Sequence, residues 1–124
     1  MKCSKPNPYP PDWGEIAGQI KAEAGHCCVR CGHPNDRESG HVLTVHHLDM
    51  DPSNVKWWNL PPLCQKCHLS VQGRVILDRG WLLEHSNWFK PYVAGYYSSC
   101  MGTRDDKEWV MAHLEDILER GRTA

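Results

Sequence analysis

Two groups of side chains in this chain are spaced for chemistry. Cys28 and Cys31 form one Cys-x-x-Cys, and Cys64 and Cys67 form another. Each such turn presents two thiolates, and four thiolates make the tetrahedral ligand set of a structural zinc site. A site closed by four thiolates keeps no open coordination position, so it is a scaffold and not a catalyst. The second group is the adjacent pair His46–His47, then Asn59, then His68 directly after the second cysteine pair. Imidazole is a common metal ligand, and its ordinary pKa of about 6.5 also suits a general base. Adjacent side chains on a strand point to opposite sides, so one of the two histidines can face a metal and the other a water. A base beside a Lewis-acidic cation is what phosphodiester hydrolysis needs.

These residues carry a resemblance. CVRC at 28–31, VHHLD at 45–49, NLPPLC at 59–64 and CQKCH at 64–68 occur in that order. Together they resemble the zinc-supported HNH endonucleases, the ββα-metal nuclease fold, over residues 28–72. The resemblance implies that His46 and His68 bind the catalytic divalent metal and that His47 is the general base. It implies that Asn59 fastens the loop between strand and helix. It extends to small stand-alone HNH proteins of bacteria and their phages. DNA is then the expected partner, and the cytoplasm of a bacterial cell or phage-infected host the expected location. Some members carry a further histidine four residues after the last one, where this chain has Gln72. Two imidazoles, water and phosphate oxygens would then complete the site. Imidazole suits zinc or nickel, and open oxygen positions suit magnesium or manganese. The expected cofactors are Zn2+ at the cysteines and Mg2+ or Mn2+ for catalysis. Lys66, Arg74 and Arg79, with Lys56 and Lys90, flank the motifs and are the candidate phosphate contacts.

Composition sets bounds on these readings. A chain of 124 residues fits one domain with a modest core. It is 40% hydrophobic and 23% charged, as soluble proteins commonly are. The net charge of −1 counts against strong non-specific binding to nucleic acid, which normally needs surplus Lys and Arg. Seven cysteines are an odd number, and no apolar stretch that could serve as a signal peptide follows the N-terminus. Reduced cysteines that bind metal fit this better than a disulfide framework. Cys27 is a rival to Cys28 but gives x-x-x spacing to Cys31, and Cys3 and Cys100, which lack a partner motif, read as plain thiols.

The elements that must position the two groups follow in order. Prolines at 6, 8, 10 and 11 make residues 1–11 an extended arm in which Tyr9 can act as an anchor. Residues 12–25 read as a helix with Asp12 as cap, a stripe of Trp13, Ile16, Ala17 and Ile20, and Gly25 as the stop. Residues 26–73 form the zinc-supported core. Within it, His41–Leu48 reads as a strand, Asp49–Asn54 as a turn, Val55–Trp58 as the returning strand and Gln65–Gln72 as a helix. Residues 74–102 are an aromatic-rich extension, with strands expected near Val75–Leu77 and Trp81–Leu83 and a helix over Pro91–Tyr97. A C-terminal helix over 103–121 starts from a Thr103/Asp106 capping box. Its stripe is Trp109, Val110, His113, Leu114, Ile117 and Leu118. The expected fold is α+β: a small zinc-stabilised ββα-metal core with N- and C-terminal helices.

The function expected is metal-dependent hydrolysis of DNA. The alternative is a zinc-supported nucleic-acid-binding module without cleavage. A third reading uses the aromatics of residues 81–97 as a partner-binding surface. Trp57 and Trp58 read as core residues, and Asp49 and Asp51 as turn acids facing solvent.

Overall fold

A computed structural model describes residues 9–71 and 87–123. The expectations for Arg74, Arg79, Gln72, Cys3 and the strands at 75–77 and 81–83 concern residues outside them. The described residues form a small mixed α/β fold with five α-helices and a two-stranded antiparallel sheet. In order these are α1 (Trp13–Glu23), β1 (Leu43–Val45), a 3-10 turn (Trp57–Asn59), β2 (Pro62–Cys64), α2 (Gln65–Val71), α3 (Lys90–Cys100), α4 (Lys107–Ala112) and α5 (Leu114–Thr123). None of these helices is long and apolar enough to cross a membrane.

β1 and β2 pair with Leu43 opposite Cys64, Thr44 opposite Leu63 and Val45 opposite Pro62. The same register continues beyond the strands. His46 N–H donates to Pro61 O at 3.1 Å, and Leu48 N–H to Asn59 O at 2.9 Å. The returning strand is therefore not Val55–Trp58, which instead ends in the 3-10 turn, but the Pro-containing stretch after it. Gln65 N–H donates to Val42 O. Val45 and Pro62 thus fall between hydrogen-bonded rungs, where a residue without an N–H breaks no ladder bond. The Pro62 carbonyl accepts from Val29 N–H at 3.0 Å, which fastens the first cysteine turn to β2.

The core lies between this sheet and the C-terminal helices. Leu43, Leu63, Phe89, Val93, Ala94, Val110 and Leu118 are buried in one cluster with Trp58. α3 crosses the 3-10 turn at Gly95. A Cβ there would stand 2.5 Å from the Trp58 Cβ, so only glycine permits this approach. Trp57 and Trp58 donate from their indole nitrogens to the carbonyl and carboxylate of Asp105, and act as packing residues. Tyr92 is buried, and Trp88, Tyr96 and Tyr97 are half-buried against the cluster, so these described aromatics of the 81–97 stretch pack on the interior.

The C-terminal helix is two helices, broken at His113 (φ −122°, ψ 24°). Val110, Ile117 and Leu118 keep the expected buried stripe, while His113 is exposed. The capping box is divided between two helix ends. Asp106 accepts from Trp109 N–H and caps α4, whereas Thr103 donates to Ser98 O and closes α3. At α1, Asp12 holds the cap position through its carbonyl and its side chain makes no capping bond.

Candidate functional site

The sheet register and α2 bring the cysteine pairs together. One turn sits between α1 and β1, and the other runs from the end of β2 into α2. Sγ atoms of Cys28, Cys31, Cys64 and Cys67 all lie within 4.8 Å of one another. Cys31 and Cys64 are 3.8 Å apart at sulfur. That is too long for a disulfide, whose S–S length is about 2.05 Å. It matches the edge of a tetrahedron with metal–sulfur bonds of about 2.3 Å, which is about 3.8 Å. One backbone and one side-chain donor complete the cradle. Cys67 N–H points at Cys64 Sγ, and the Arg30 guanidinium reaches Cys67 Sγ at 3.6 Å.

The thiols are electrostatically unequal. Burial works against ionising Cys28, but hydrogen bonds from the Cys31, Cys64 and Arg30 backbone outweigh it and bring its pKa to about 7. Burial, assisted by the neighbouring thiols, pushes Cys67 up to about 12 despite Arg30. Burial also raises Cys31. A dication at the centre is the group that lets all four ionise together, and the donor set is consistent with structural zinc. Cys27 turns away to the Gly25 carbonyl and is not a ligand.

The second group gathers at the ends of the same strands. Thr44 and His46 share one face of β1 and its extension, and His68 comes from α2 onto that face. The His46 and His68 rings are 4.5 Å apart at their centroids. Thr44 Oγ1 donates to Leu63 O at 2.7 Å and stands 2.9 Å from His68 Nδ1. A hydroxyl has one proton, so His68 Nδ1 must donate to it. Nε2 of His68 is then the unprotonated nitrogen. Nε2 of His46 is buried without any hydrogen-bond partner. Burial first, then the charges of His68 and His47, lowers the His46 pKa to about 4. Burial also lowers His68. Two neutral imidazoles side by side, one with its far nitrogen anchored and one with an orphaned nitrogen, fit a metal with open positions.

His47 points to the opposite side, against α1. Its ring lies 4.7 Å from Trp13 and 5.7 Å from Tyr9 at the centroids. Its Nε2 is likewise buried and unpartnered. Burial lowers its pKa, opposed by Asp49, a hydrogen bond to the Pro52 backbone and Asp51. His46, His47 and His68 nonetheless open into one cleft of about 290 Å³, also lined by Tyr9, Val45, Met50 and Pro52.

Asn59 is fully buried and its amide is fully used. Its Oδ1 accepts from Asp49 N–H at 2.9 Å, and its Nδ2 donates to Asp49 Oδ1 at 2.8 Å and Asn54 O at 3.0 Å. It ties the 49–54 turn, which forms one wall of the cleft, to the 3-10 turn. Asp49 is thereby occupied, and Asp51 accepts from Ser53. Among the described residues, the basic candidates do not line the cleft. Lys66 is exposed beside Gly40, Lys56 pairs with Asp105 at 3.8 Å and Lys90 with Glu115 at 3.9 Å.

Thr44, Arg30 and Trp13 are contributions that residue types alone did not single out. Thr44 had a signal, since two positions before His46 on a strand is the same face. Comparison with protein-family models, curated proteins and solved structures returns no match to this chain.

Proposed function

We propose that this chain is a metal-dependent endonuclease of the HNH type that hydrolyses DNA phosphodiester bonds, with Zn2+ held by the four cysteines as a scaffold. The observation that carries the proposal is the buried, unpartnered Nε2 of His46 beside His68, with the unpartnered Nε2 of His47 in the same open cleft. Isolated buried donors and acceptors of this kind are costly unless a ligand uses them.

In this reading His46 and His68 hold a divalent ion, Mg2+ or Mn2+, through Nε2. When bound, that ion supplies a Lewis acid to the phosphate and to the leaving 3′ oxygen. His47 Nε2 takes a proton from water as the water oxygen attacks phosphorus and the P–O3′ bond breaks. Asn59 keeps the 49–54 wall in place, and Thr44 keeps His68 in the correct tautomer. Lys66, with Arg74 and Arg79, remains the candidate for contacts to phosphates away from the scissile one. A cytoplasmic site of action follows from the reduced thiols that this reading requires.

The test is incubation of the purified, zinc-loaded protein with supercoiled plasmid in Mg2+, Mn2+, Zn2+ or Ni2+. Nicked or linear products that depend on the added ion and vanish in His47→Ala support the proposal. Binding without cleavage under every ion leaves the zinc-supported nucleic-acid-binding module as the better account.

A further inference from the structure

Two large, exposed side chains, Tyr9 and Met50, stand beside the imidazoles in the lining of the histidine cleft, which a phosphate alone does not call for. Tyr9 stacks on Trp13 with centroids 5.3 Å apart and planes at 28°, yet remains 41% exposed. The Trp13 ring in turn rests on His47. Met50 also lines this cleft and is 55% exposed. Its backbone is left-handed, with φ of 63°, where glycine or asparagine is the cheap choice. Met50 N–H is bonded to His47 O, so the turn that holds this conformation is continuous with the proposed base. A solvated turn gains nothing from a thioether in a strained position. A binding lip does.

From these rings and this lip we infer that Tyr9 and Met50 form a subsite for an unpaired nucleobase next to the scissile phosphate. The inference rests on the phosphodiester reading of the cleft and names its substrate class: strands with an unpaired base at the cut, such as single strands, flaps or bulges. Every base has a π-face, so aromatic stacking accepts it whatever its identity. The Tyr9 ring is 5.7 Å from His47 at the centroids, and it lines the same cleft as His46 and His68. A base in an intact duplex is stacked between its neighbours and cannot turn to this ring. A base already unpaired reaches it without the cost of extrusion.

The test uses one oligonucleotide sequence as a single strand, as a duplex and as a duplex with a one-base bulge, cleaved in Mn2+. The single strand and bulge should exceed the duplex in kcat/KM by roughly 5- to 150-fold, the range set by base–aromatic stacking. Tyr9→Ala and Met50→Ala should each remove most of that ratio while keeping the zinc, and Tyr9→Phe should preserve it. A separate arm needs no cleavage: 2-aminopurine in the single strand, with no added divalent ion, should be quenched on binding by the parent and Tyr9→Phe but not by Tyr9→Ala. Quenching without cleavage of any substrate would defeat the nuclease reading and keep the base subsite. Equal rates on paired and unpaired substrates, or binding without quenching, overturns the subsite and leaves the nuclease reading standing. Absence of binding to any form overturns both.

Discussion

Asn59 and Asp49 exchange two hydrogen bonds, one from Asp49 N–H to Asn59 Oδ1 at 2.9 Å and one from Asn59 Nδ2 to Asp49 Oδ1 at 2.8 Å. The pair closes the turn that follows His47 and carries Met50 and Pro52 into the cleft. Asn59→Ala strips partners from the Asp49 N–H, the Asp49 carboxylate and the Asn54 carbonyl together. We expect a loss of about 1–3 kcal/mol in stability, the usual cost of groups left unsatisfied. Denaturant melts would measure it, and cleavage should fall while zinc content holds. An unchanged melt with unchanged cleavage would show that the turn is held by other contacts.

In the proposed site Thr44 would act on the metal through His68, whose Nδ1 it contacts. Thr44→Val keeps the shape but removes the oxygen that accepts from Nδ1, so His68 no longer has a fixed tautomer. Losing such a partner typically costs about 10–100-fold in metal affinity. Manganese titrations of plasmid cleavage should show that shift, with excess manganese restoring much of the rate. Direct binding of the ion by calorimetry gives an independent reading. Equal affinity in the parent and the variant would remove Thr44 from the site.

The cysteine centre should decide whether the chain folds. Structural zinc supplies an apparent binding free energy of about 10–16 kcal/mol, against about 5–15 kcal/mol for the stability of an ordinary domain. One zinc per chain is expected by elemental analysis, and chelation should unfold the protein cooperatively. Cys64→Ser should do the same, because Cys64 is fully buried at the junction of β2 and α2. Cys27→Ser and Cys100→Ser should melt like the parent. Folded protein with no zinc would refute the assignment.

The parts legible in the sequence are those where residue type alone fixes geometry. Paired Cys-x-x-Cys turns declare their ligands, and the apolar stripes of α1 and of the C-terminal helices give their faces. β2 was not legible because Pro61 and Pro62 carry no N–H to pair in a ladder, while Val55–Trp58 has β-like composition. Register decided otherwise, since Pro62 occupies a rung that needs no N–H and Trp58 is drawn into the core under Gly95. The break at His113 was hidden for a related reason: the apolar spacing runs through it and periodicity carries no mark of a local kink. In the candidate site the histidines declared themselves. The Thr44 hydroxyl and the Trp13–His47 contact did not, because each depends on two elements meeting in space.

The last prediction concerns His47 and pH. Burial holds its pKa below 6.5, and a cation at His46 and His68 would push it lower still. A general base works only when neutral. Cleavage should therefore rise with pH through a midpoint below 6.5 and stay level above it, as far as the metal remains soluble. Protonation of His46 and His68 at low pH would also release the metal, so the acid limb must be measured at several manganese concentrations. The part due to His47 is the part that saturating metal does not shift. His47→Ala should lose roughly 10²–10⁴ in rate and abolish that limb, while keeping zinc and DNA binding. His46→Ala should instead raise the manganese requirement. If His47→Ala cleaves as fast as the parent and His46→Ala does not, the roles of the two neighbours are exchanged. A rate that falls as pH rises from 5 to 7 would rule out either histidine as the base.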